Sequence, residues 1–112
     1  MSEPLSLVVD SIADLAVLRL RGELVYGQDL QSVHDTVVRL KQEGHGRLVV
    51  DLTDVGATDS SGISTLLDIR KIVGTGLILL RPSARLRASL GIARVTSMFA
   101  IIEDEAELDR KK

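Results

Sequence analysis

The sequence predicts an α/β fold: a single domain over residues 1–112, with a mixed, mostly parallel β-sheet, an N-terminal β-hairpin and about four helices packed against the sheet. Short apolar runs typical of strands alternate along the chain with longer segments whose apolar residues recur at helical spacing. Hydrophobic residues make up 45% of the chain and aromatic residues only 2%, so the core must consist mainly of Leu, Ile, Val and Ala. No linker or repeat divides the 112 residues, a length that fits one domain.

The first two strands are predicted at residues 5–9 (LSLVV) and 15–21 (LAVLRLR). The intervening DSIAD contains Asp and Ser residues that suit a turn, so the two runs are expected to pair as a hairpin. The second run alternates between two faces of the sheet. One face carries Ala16, Leu18 and Leu20, and the other carries Val17, Arg19 and Arg21.

A helix followed by a buried strand comes next. Residues 29–43 have the apolar spacing of an amphipathic helix, which Gly44 is expected to end. Residues 47–52 (RLVVDL) form a short apolar run rich in valine, typical of a strand covered on both faces. A helical connection between such strands indicates parallel pairing.

The same unit then repeats. A loop is predicted at residues 53–59, a helix at about 61–73, a break at Gly74–Gly76 and a buried strand at Leu77–Leu80.

The C-terminal part contains shorter elements. Pro82 is expected to open a helix that runs to about Leu90 and is punctuated by Gly91. Residues 98–102 (MFAII) predict the last strand, and residues 103–112 (EDEAELDRKK) predict a short polar helix.

Composition excludes several classes of function. The chain has 14 basic and 16 acidic residues, a formal charge of −2, which argues against direct nucleic-acid binding. It has no cysteine, so disulfides and thiolate metal sites are excluded. The N-terminus lacks the charge and apolar run of a signal peptide, and no apolar run reaches the roughly 18 residues needed to cross a bilayer. We therefore expect a soluble, cytoplasmic protein without membrane insertion.

The candidate site lies in DVGATDSSGISTLL, residues 54–67, where a strand is expected to lead into a helix. Asp59, Ser60 and Ser61 can each cap the helix, an interaction worth about 1 kcal/mol, and Gly62 leaves the backbone uncovered. One cap is sufficient, so three candidates beside a glycine suggest an additional role. A phosphate on such a serine would be favoured by the helix N-terminus and would add a charge of about −1.5 to −2.

Two other chemical interpretations are weaker. A serine nucleophile needs a histidine base, and only His34 and His45 are present, without a G-x-S-x-G elbow. Asp51, Asp54 and Asp59 could gather around Mg²⁺, although spacing alone is weak evidence and Asp54 also suits a turn.

Two further surfaces each have a structural and a functional interpretation. The helix after the serines has a polar face, and Ile69 and Ile72 widen its apolar arc, as either core or a docking patch. The polar face contains Ser61, Ser64, Thr65, Asp68 and Lys71. Four arginines form either a solvated face or a basic patch for an acidic partner or anionic lipid. They are Arg81, Arg85, Arg87 and Arg94.

Four segments in order, LRLRGELV, LVVDLTDV, TDSSGISTLL and RPSARLRASLGIARVTSMFAIIEDEAEL, resemble the STAS domain, particularly that of anti-sigma factor antagonists. The resemblance implies that Ser60 is the phosphoacceptor, in a loop and helix start formed with Asp59, Ser61 and Gly62. It also implies two partners: an anti-sigma factor that is a serine kinase, and a serine phosphatase. The unphosphorylated protein would bind the kinase and release the sigma factor, and phosphorylation would break the complex. The chain would be no enzyme and have no cofactor, since the kinase uses the ATP.

The resemblance associates partner contact with the residues just after the second strand, and the faces of the helix after the serines described above add further candidates. The expected partner contacts are Glu23, Val25, Ser64, Thr65, Asp68, Ile69 and Ile72. Val25 stands where many relatives have an acidic residue, and Ala57 and Thr58 stand where a bulky apolar pair is common. These departures leave open a second interpretation, an unphosphorylated structural STAS subunit of a membrane complex that transports lipids or anions.

Overall fold

The computed structural model describes residues 4–12 and 15–110, and within them two consecutive strands are followed by helices and strands in alternation, five strands and four α-helices in all. The strands are β1 (Ser6–Ile12), β2 (Leu15–Leu24), β3 (Leu48–Thr58), β4 (Leu77–Leu80) and β5 (Ala100–Ile102). The helices are α1 (Gln28–Gln42), α2 (Ser60–Val73), α3 (Ala84–Ile92) and α4 (Ala106–Arg110). Single 3₁₀ turns at Gly74–Gly76 and Thr96–Met98 precede β4 and β5.

The five strands form one sheet in the order β1-β2-β3-β4-β5. β1 and β2 pair antiparallel, and the other neighbours pair parallel. This arrangement confirms the predicted mixed sheet with an N-terminal hairpin. The predicted turn at residues 10–14 is too long, because β1 continues through Ile12; residues 13 and 14 lie outside the described residues.

The predicted loop at residues 53–59 is wrong, because β3 extends to Thr58. Beyond Asp51, the last residue paired with β4, β3 continues along β2 and pairs Val55 with Gly22 and Thr58 with Leu24. Asp, Gly and Thr predict a loop locally, but pairing with β2 and the burial of Val55 favour extended backbone. The pairing of β2 with β3 shifts register twice, and each shift inserts one extra residue in β3.

The remaining elements differ from prediction mainly at their ends. α2 begins at Ser60, one residue earlier than expected, and α3 begins after Ser83, whose hydroxyl accepts a hydrogen bond from the Leu86 N–H at 3.2 Å. The last strand is shorter than predicted because Met98 belongs to a 3₁₀ turn. Short elements of this kind depend on tertiary contacts, and their ends are hard to place from sequence.

The sheet has a large core on one face and a small one on the other. Helices α1, α2 and α3 pack on the face that carries Leu18, Leu20 and Val50, whereas α4 covers part of the opposite face. The small cluster consists of Val17, Val49, Ile78, Leu80, Ile102 and Leu108. The alternation predicted for residues 15–21 is therefore confirmed.

Arg19 joins three segments on the face that carries the small cluster. Its guanidinium contacts Asp51 on β3 at 2.8 Å, Asp10 on β1 at 3.3 Å and Glu105 before α4 at 3.1 Å. Burial alone would raise the pKa of Asp51, but hydrogen bonds from Thr53 and the charge of Arg19 together lower it. Asp51 is thus engaged on this face, which weakens the idea that it shares a magnesium site with Asp59.

Candidate functional site

Asp59 caps α2 and ties it to the end of β2. Its Oδ1 accepts a hydrogen bond from the Gly62 N–H at 3.0 Å, and its Oδ2 accepts one from the Tyr26 N–H at 2.9 Å. The Tyr26 N–H is the main cause of the lowered pKa of Asp59; partial burial opposes the shift, and the amides of Gly62 and Ser61 add to it. Of the three predicted caps, the aspartate therefore performs the structural role.

Gly62 allows α2 to approach β2 closely. A Cβ atom at this position would overlap the carbonyl oxygen of Leu24 and the hydroxyl of Thr58. That hydroxyl donates to the same Leu24 carbonyl at 2.7 Å, so no space remains between strand and helix. The glycine in the Asp-Ser-Ser-Gly motif is a packing requirement.

Ser60 has no comparable structural role. It is exposed at the first position of α2, and its hydroxyl makes no hydrogen bond to any residue that the structure describes. The next serine, Ser61, is half-buried, and its carbonyl accepts a hydrogen bond from the Thr65 hydroxyl at 3.0 Å. Of the two serines in this motif, Ser60 is the more exposed.

On one side, Ser60 borders an open groove of about 460 Å³ between α1 and α2, here called the α1–α2 groove. Its lining is mostly polar: Tyr26, Gly27, Leu30, Gln31, His34, Ser60, Ser61, Ser64, Thr65 and Asp68. No lysine or arginine lines it within the described part of the chain, whereas Asp68 does. The groove thus presents hydroxyls and a carboxylate rather than an anion-binding pocket.

On its other side, Ser60 borders a smaller, more apolar depression between α2 and α3, here called the α2–α3 groove. Its lining includes Ile63, Ile92 and Ala93. Ile92 is 85% exposed and Tyr26, across the serine, is 83% exposed. Exposed apolar side chains on both sides of a polar hydroxyl are typical of a protein-docking surface.

The predicted partner residues separate into three groups: residues in the α1–α2 groove, residues near the end of β2, and the two isoleucines of α2. Ser64 and Asp68 are exposed in the α1–α2 groove, and Thr65 lines it while half-buried. Glu23 and Val25 are half-buried at and just after the end of β2, on either side of Leu24.

Ile69 and Ile72 must be corrected as docking residues. Ile69 is 0% exposed within the larger core, and Ile72 is half-buried and packed against that core. The buried arc of α2 is wider than a sheet contact alone requires, because α2 packs against α1 as well as against the strands. Their apolar arc is therefore structural.

The arginine-rich segment is also largely structural. Arg87 pairs with Glu103 at 2.6 Å and donates to the Pro82 carbonyl at 2.9 Å, and Arg81 donates to the Glu103 carbonyl at 2.8 Å. Arg85 and Arg94 are exposed. Since two of the four arginines hold the segment after β5, the interpretation as one continuous basic patch is not supported.

His34 lines the same groove as Ser60 but does not form a nucleophile–base pair with it. Its Nδ1 lies 3.4 Å from Asp35 Oδ1, and no contact with the Ser60 hydroxyl occurs in the described residues. Nucleophilic catalysis needs a base within hydrogen-bond reach of the serine. The described residues therefore do not give Ser60 the histidine base that a serine nucleophile needs.

Sequence reasoning missed Tyr26 and Ile92. They are 66 positions apart and meet around Ser60 only because the end of β2 and the end of α3 lie near the start of α2. One signal was available: Tyr26 is the chain's only tyrosine and stands beside Gly27, where a loop is expected. No comparable signal marked Ile92.

Comparison with known proteins gives a family and a fold. A family model for the STAS domain matches residues 6–108. No curated protein matches the chain. Among solved structures, the anti-sigma factor antagonist SpoIIAA in its unphosphorylated form is 20% identical, with a TM-score of 0.76 over 94% of this chain and 95% of that one.

Two further structures share this fold. The phosphorylated form of SpoIIAA from Bacillus is 20% identical, with a TM-score of 0.72 over 96% of this chain and 100% of that one. An anti-sigma factor antagonist from Mycobacterium paratuberculosis is 17% identical, with a TM-score of 0.77 over 93% of this chain and 92% of that one.

In the described residues, no helix is long and apolar enough to cross a membrane.

Proposed function

The chain belongs to the STAS domain family, and we propose that it is an anti-sigma factor antagonist that works as a phosphorylation-controlled partner switch. In its unphosphorylated form it binds an anti-sigma factor that is also a serine kinase, and the sigma factor is released. Phosphorylation of Ser60 by that kinase breaks the complex, and a serine phosphatase restores binding. The chain itself catalyses no reaction in this scheme.

The observation that carries the proposal is the division of roles within Asp59, Ser60 and Gly62. The aspartate caps the helix at 3.0 Å and the glycine permits close packing, so neither structural role depends on the Ser60 hydroxyl. Ser60 is nevertheless exposed at a helix start, where a kinase can reach it. A modification at this position changes the surface without disturbing the core.

A phosphate on Ser60 would find mostly repulsive or neutral neighbours. Asp59 is the adjacent residue and Asp68 lines the same groove, while no basic side chain lines it in the described residues. Backbone N–H groups at the start of α2 can stabilise the phosphate, but Asp59 already occupies one of them. The added charge of about −1.5 to −2 therefore remains exposed to the partner.

The flanking apolar side chains supply the surface that this charge would disrupt. We propose that Tyr26 and Ile92, with exposures of 83% and 85%, are the apolar anchors of the kinase interface. Ser64 and Asp68 contribute polar contacts along the α1–α2 groove. A dianion between two desolvated anchors would have to lose its hydration for the partner to remain bound, and this cost opposes binding.

The direct test uses the purified chain, the anti-sigma factor kinase of the same organism, and ATP. Intact-mass and fragment spectra should show one phosphate, on Ser60. We expect Ser60→Ala to bind the kinase normally and to accept no phosphate. Ser60→Asp should weaken binding at least about tenfold, which corresponds to about 1.4 kcal/mol.

Ser64→Ala and Ser64→Asp are the matched controls, because Ser64 is exposed in the same groove one turn later. Ser64→Ala should still be phosphorylated on Ser60, and Ser64→Asp should change affinity less than Ser60→Asp does. Phosphate on another residue, or unchanged binding by Ser60→Asp, would contradict the proposal.

The second candidate function, a structural subunit of a lipid or anion transport complex, is favoured by one observation. Ile92 and Tyr26 expose apolar surface that a permanent partner could cover. That role predicts co-purification with the transporter and full function of Ser60→Ala. Partner exchange driven by ATP occurs only under the switch proposal, so the same pull-down with and without ATP separates the two.

A further inference from the structure

The outer edge of β1 is an unpaired strand edge. β1 is the first strand of the sheet, and it pairs with β2 over seven residue pairs, from Ser6 with Arg21 to Ile12 with Leu15. Its other edge faces no strand within residues 4–12 and 15–110. Such an edge presents a row of backbone N–H and C=O groups that can pair with another strand.

β1 has few of the features that usually protect an edge. Natural edges carry charged residues, especially lysines, or prolines or β-bulges, or they are very short. The sequence SLVVDSI contains no basic residue and no proline, and its register with β2 has no irregularity. Its single charged group, Asp10, is held by the Arg19 Nε at 3.3 Å and accepts from the Ser11 N–H at 2.8 Å.

The strand also exposes apolar side chains on both faces. Val8 is 60% exposed and Val9 is 40% exposed. Successive residues of a strand point to opposite faces, so an added strand would cover one valine on each side of the sheet. Both the backbone and the side chains of β1 therefore favour a further strand.

We propose that the occupant of this edge is β1 of a second copy of the chain, paired antiparallel across a two-fold axis at Val8. A two-fold antiparallel pair is self-complementary, because each copy uses the same edge. In this register Val8 faces Val8, Leu7 faces Val9, and Ser6 faces Asp10. The exposed valines meet apolar side chains, and the two Asp10 carboxylates remain apart.

Neighbouring registers match the same side chains less well. A two-fold axis at Val9 would place Val8 opposite Asp10, and an axis at Leu7 would place Val8 opposite Ser6. Apolar side chains opposite each other stabilise a strand pair, whereas an apolar side chain opposite a carboxylate does not. Val8 is the centre that pairs the apolar residues and separates the charges.

The resulting dimer would contain one continuous sheet of ten strands, five from each copy. With the axis at Val8, residues 6–10 of each copy pair, so the contact extends over roughly 17 Å, the length of five residues in a strand, which is small for a stable interface. We therefore expect a reversible dimer whose population rises with concentration. The pairing uses none of the residues around Ser60, so it is independent of the proposed function.

Single-cysteine variants test the register directly, because the chain contains no cysteine. Facing residues in an antiparallel pair have Cα atoms about 4.5–5.5 Å apart, within the range that a disulfide spans. Val8→Cys should therefore form a covalent dimer under mild oxidation. Ser6→Cys is the matched control: it is exposed on the same strand face, but its equivalents would be about 13 Å apart.

We expect Val8→Cys to cross-link at least about tenfold faster than Ser6→Cys. Sedimentation equilibrium of the unsubstituted chain should show a dimer that Val8→Lys abolishes, because an exposed lysine opposes edge pairing. Met98→Lys, also at an exposed apolar residue but outside β1, should leave the dimer intact. Equal cross-linking rates, a monomer at up to about 1 mM, or a dimer unaffected by Val8→Lys would each overturn the proposal.

Discussion

At the scale of single residues, the motif from Asp59 to Gly62 separates the residues that hold the start of α2 from the serine proposed to be phosphorylated. Asp59 and Gly62 determine where α2 begins and how closely it packs, through the Gly62 N–H and the space beside Leu24. Ser60 lies between them without a share in either role. In the proposed switch, Ser60 could be phosphorylated and dephosphorylated repeatedly, because Asp59 and Gly62 rather than Ser60 hold the start of α2.

Gly62→Ala tests whether the glycine is a packing requirement. The new methyl group would overlap the Leu24 carbonyl and the Thr58 hydroxyl, so α2 would have to move away from β2. We expect the free energy of unfolding to fall by about 2–3 kcal/mol, measured by urea denaturation.

Gly91→Ala in α3 is the matched control for this change. Nothing lies within 4 Å of a Cβ at Gly91, and the residue also sits in a helix. Alanine is favoured over glycine in helices, so Gly91→Ala should raise stability by up to about 1 kcal/mol. If Gly62→Ala were equally harmless, the close approach of α2 to β2 would not matter for stability.

At the scale of elements, the Asp59 carboxylate joins two of them. It accepts hydrogen bonds from the Tyr26 and Gly62 amides, which connect the end of β2, just before α1, to the start of α2 around Ser60. Tyr26, 83% exposed, is thereby held beside the serine by its backbone while its ring remains available. The geometry of the proposed docking surface depends on this bridge.

Acid should weaken the bridge in a defined direction. The folded pKa of Asp59 lies below its ordinary value of 3.8, so folding favours the ionised form. Its contribution to stability is fully present above the unfolded pKa and is lost as the pH falls through the folded pKa. We expect the difference in melting temperature between the native chain and Asp59→Asn to shrink as the pH falls below about 4.

Asp54→Asn provides the comparison, because Asp54 is an exposed carboxylate on β3. Its melting temperature should stay near that of the native chain at neutral pH, whereas Asp59→Asn should melt lower. A constant difference between native and Asp59→Asn across the acid range would show that the ionised carboxylate does not stabilise this bridge.

The second half of β3 shows why some of the fold could not be predicted. Residues 53–58 contain Asp, Gly and Thr, which locally favour a turn, and they become strand because β2 continues beside them. That pairing joins residues more than 30 positions apart, such as Leu24 and Thr58. By contrast, Leu77–Leu80 was predicted correctly, since four consecutive apolar residues between a glycine break and Pro82 carry a strong local signal.

The contrast between local signals and long-range contacts also applies to the site and to the helix that follows it. Ser60 could be located from the sequence because its motif is contiguous and the expected helix start is local. The two apolar neighbours could not, because Tyr26 and Ile92 lie on separate elements and their exposure of 83% and 85% depends on how those elements pack. The burial of Ile69 was ambiguous for a similar reason: periodicity shows an apolar face but not how much of it a neighbour covers.

Across the whole molecule, Arg19 connects the hairpin, the centre of the sheet and the segment before α4. Arg19→Met removes its charge but keeps most of the apolar stem, and it leaves the carboxylate of Asp51, only 14% exposed, without a basic partner. Thr53 still donates two hydrogen bonds to Asp51, which limits the loss. We expect the free energy of unfolding to fall by about 1–3 kcal/mol in urea denaturation.

Arg39→Met separates this effect from the loss of any surface charge. Arg39 and Glu43 form an exposed pair in α1 with 3.9 Å between Nε and Oε2, so the change should alter stability by no more than about 0.5 kcal/mol. Because Glu105 also contacts Arg19, the Arg19 variant should additionally show faster hydrogen exchange in β5 and α4 than Arg39→Met does. Equal stability and equal exchange in the two variants would mean that the small core under α4, rather than Arg19, holds the C-terminal segment to the sheet.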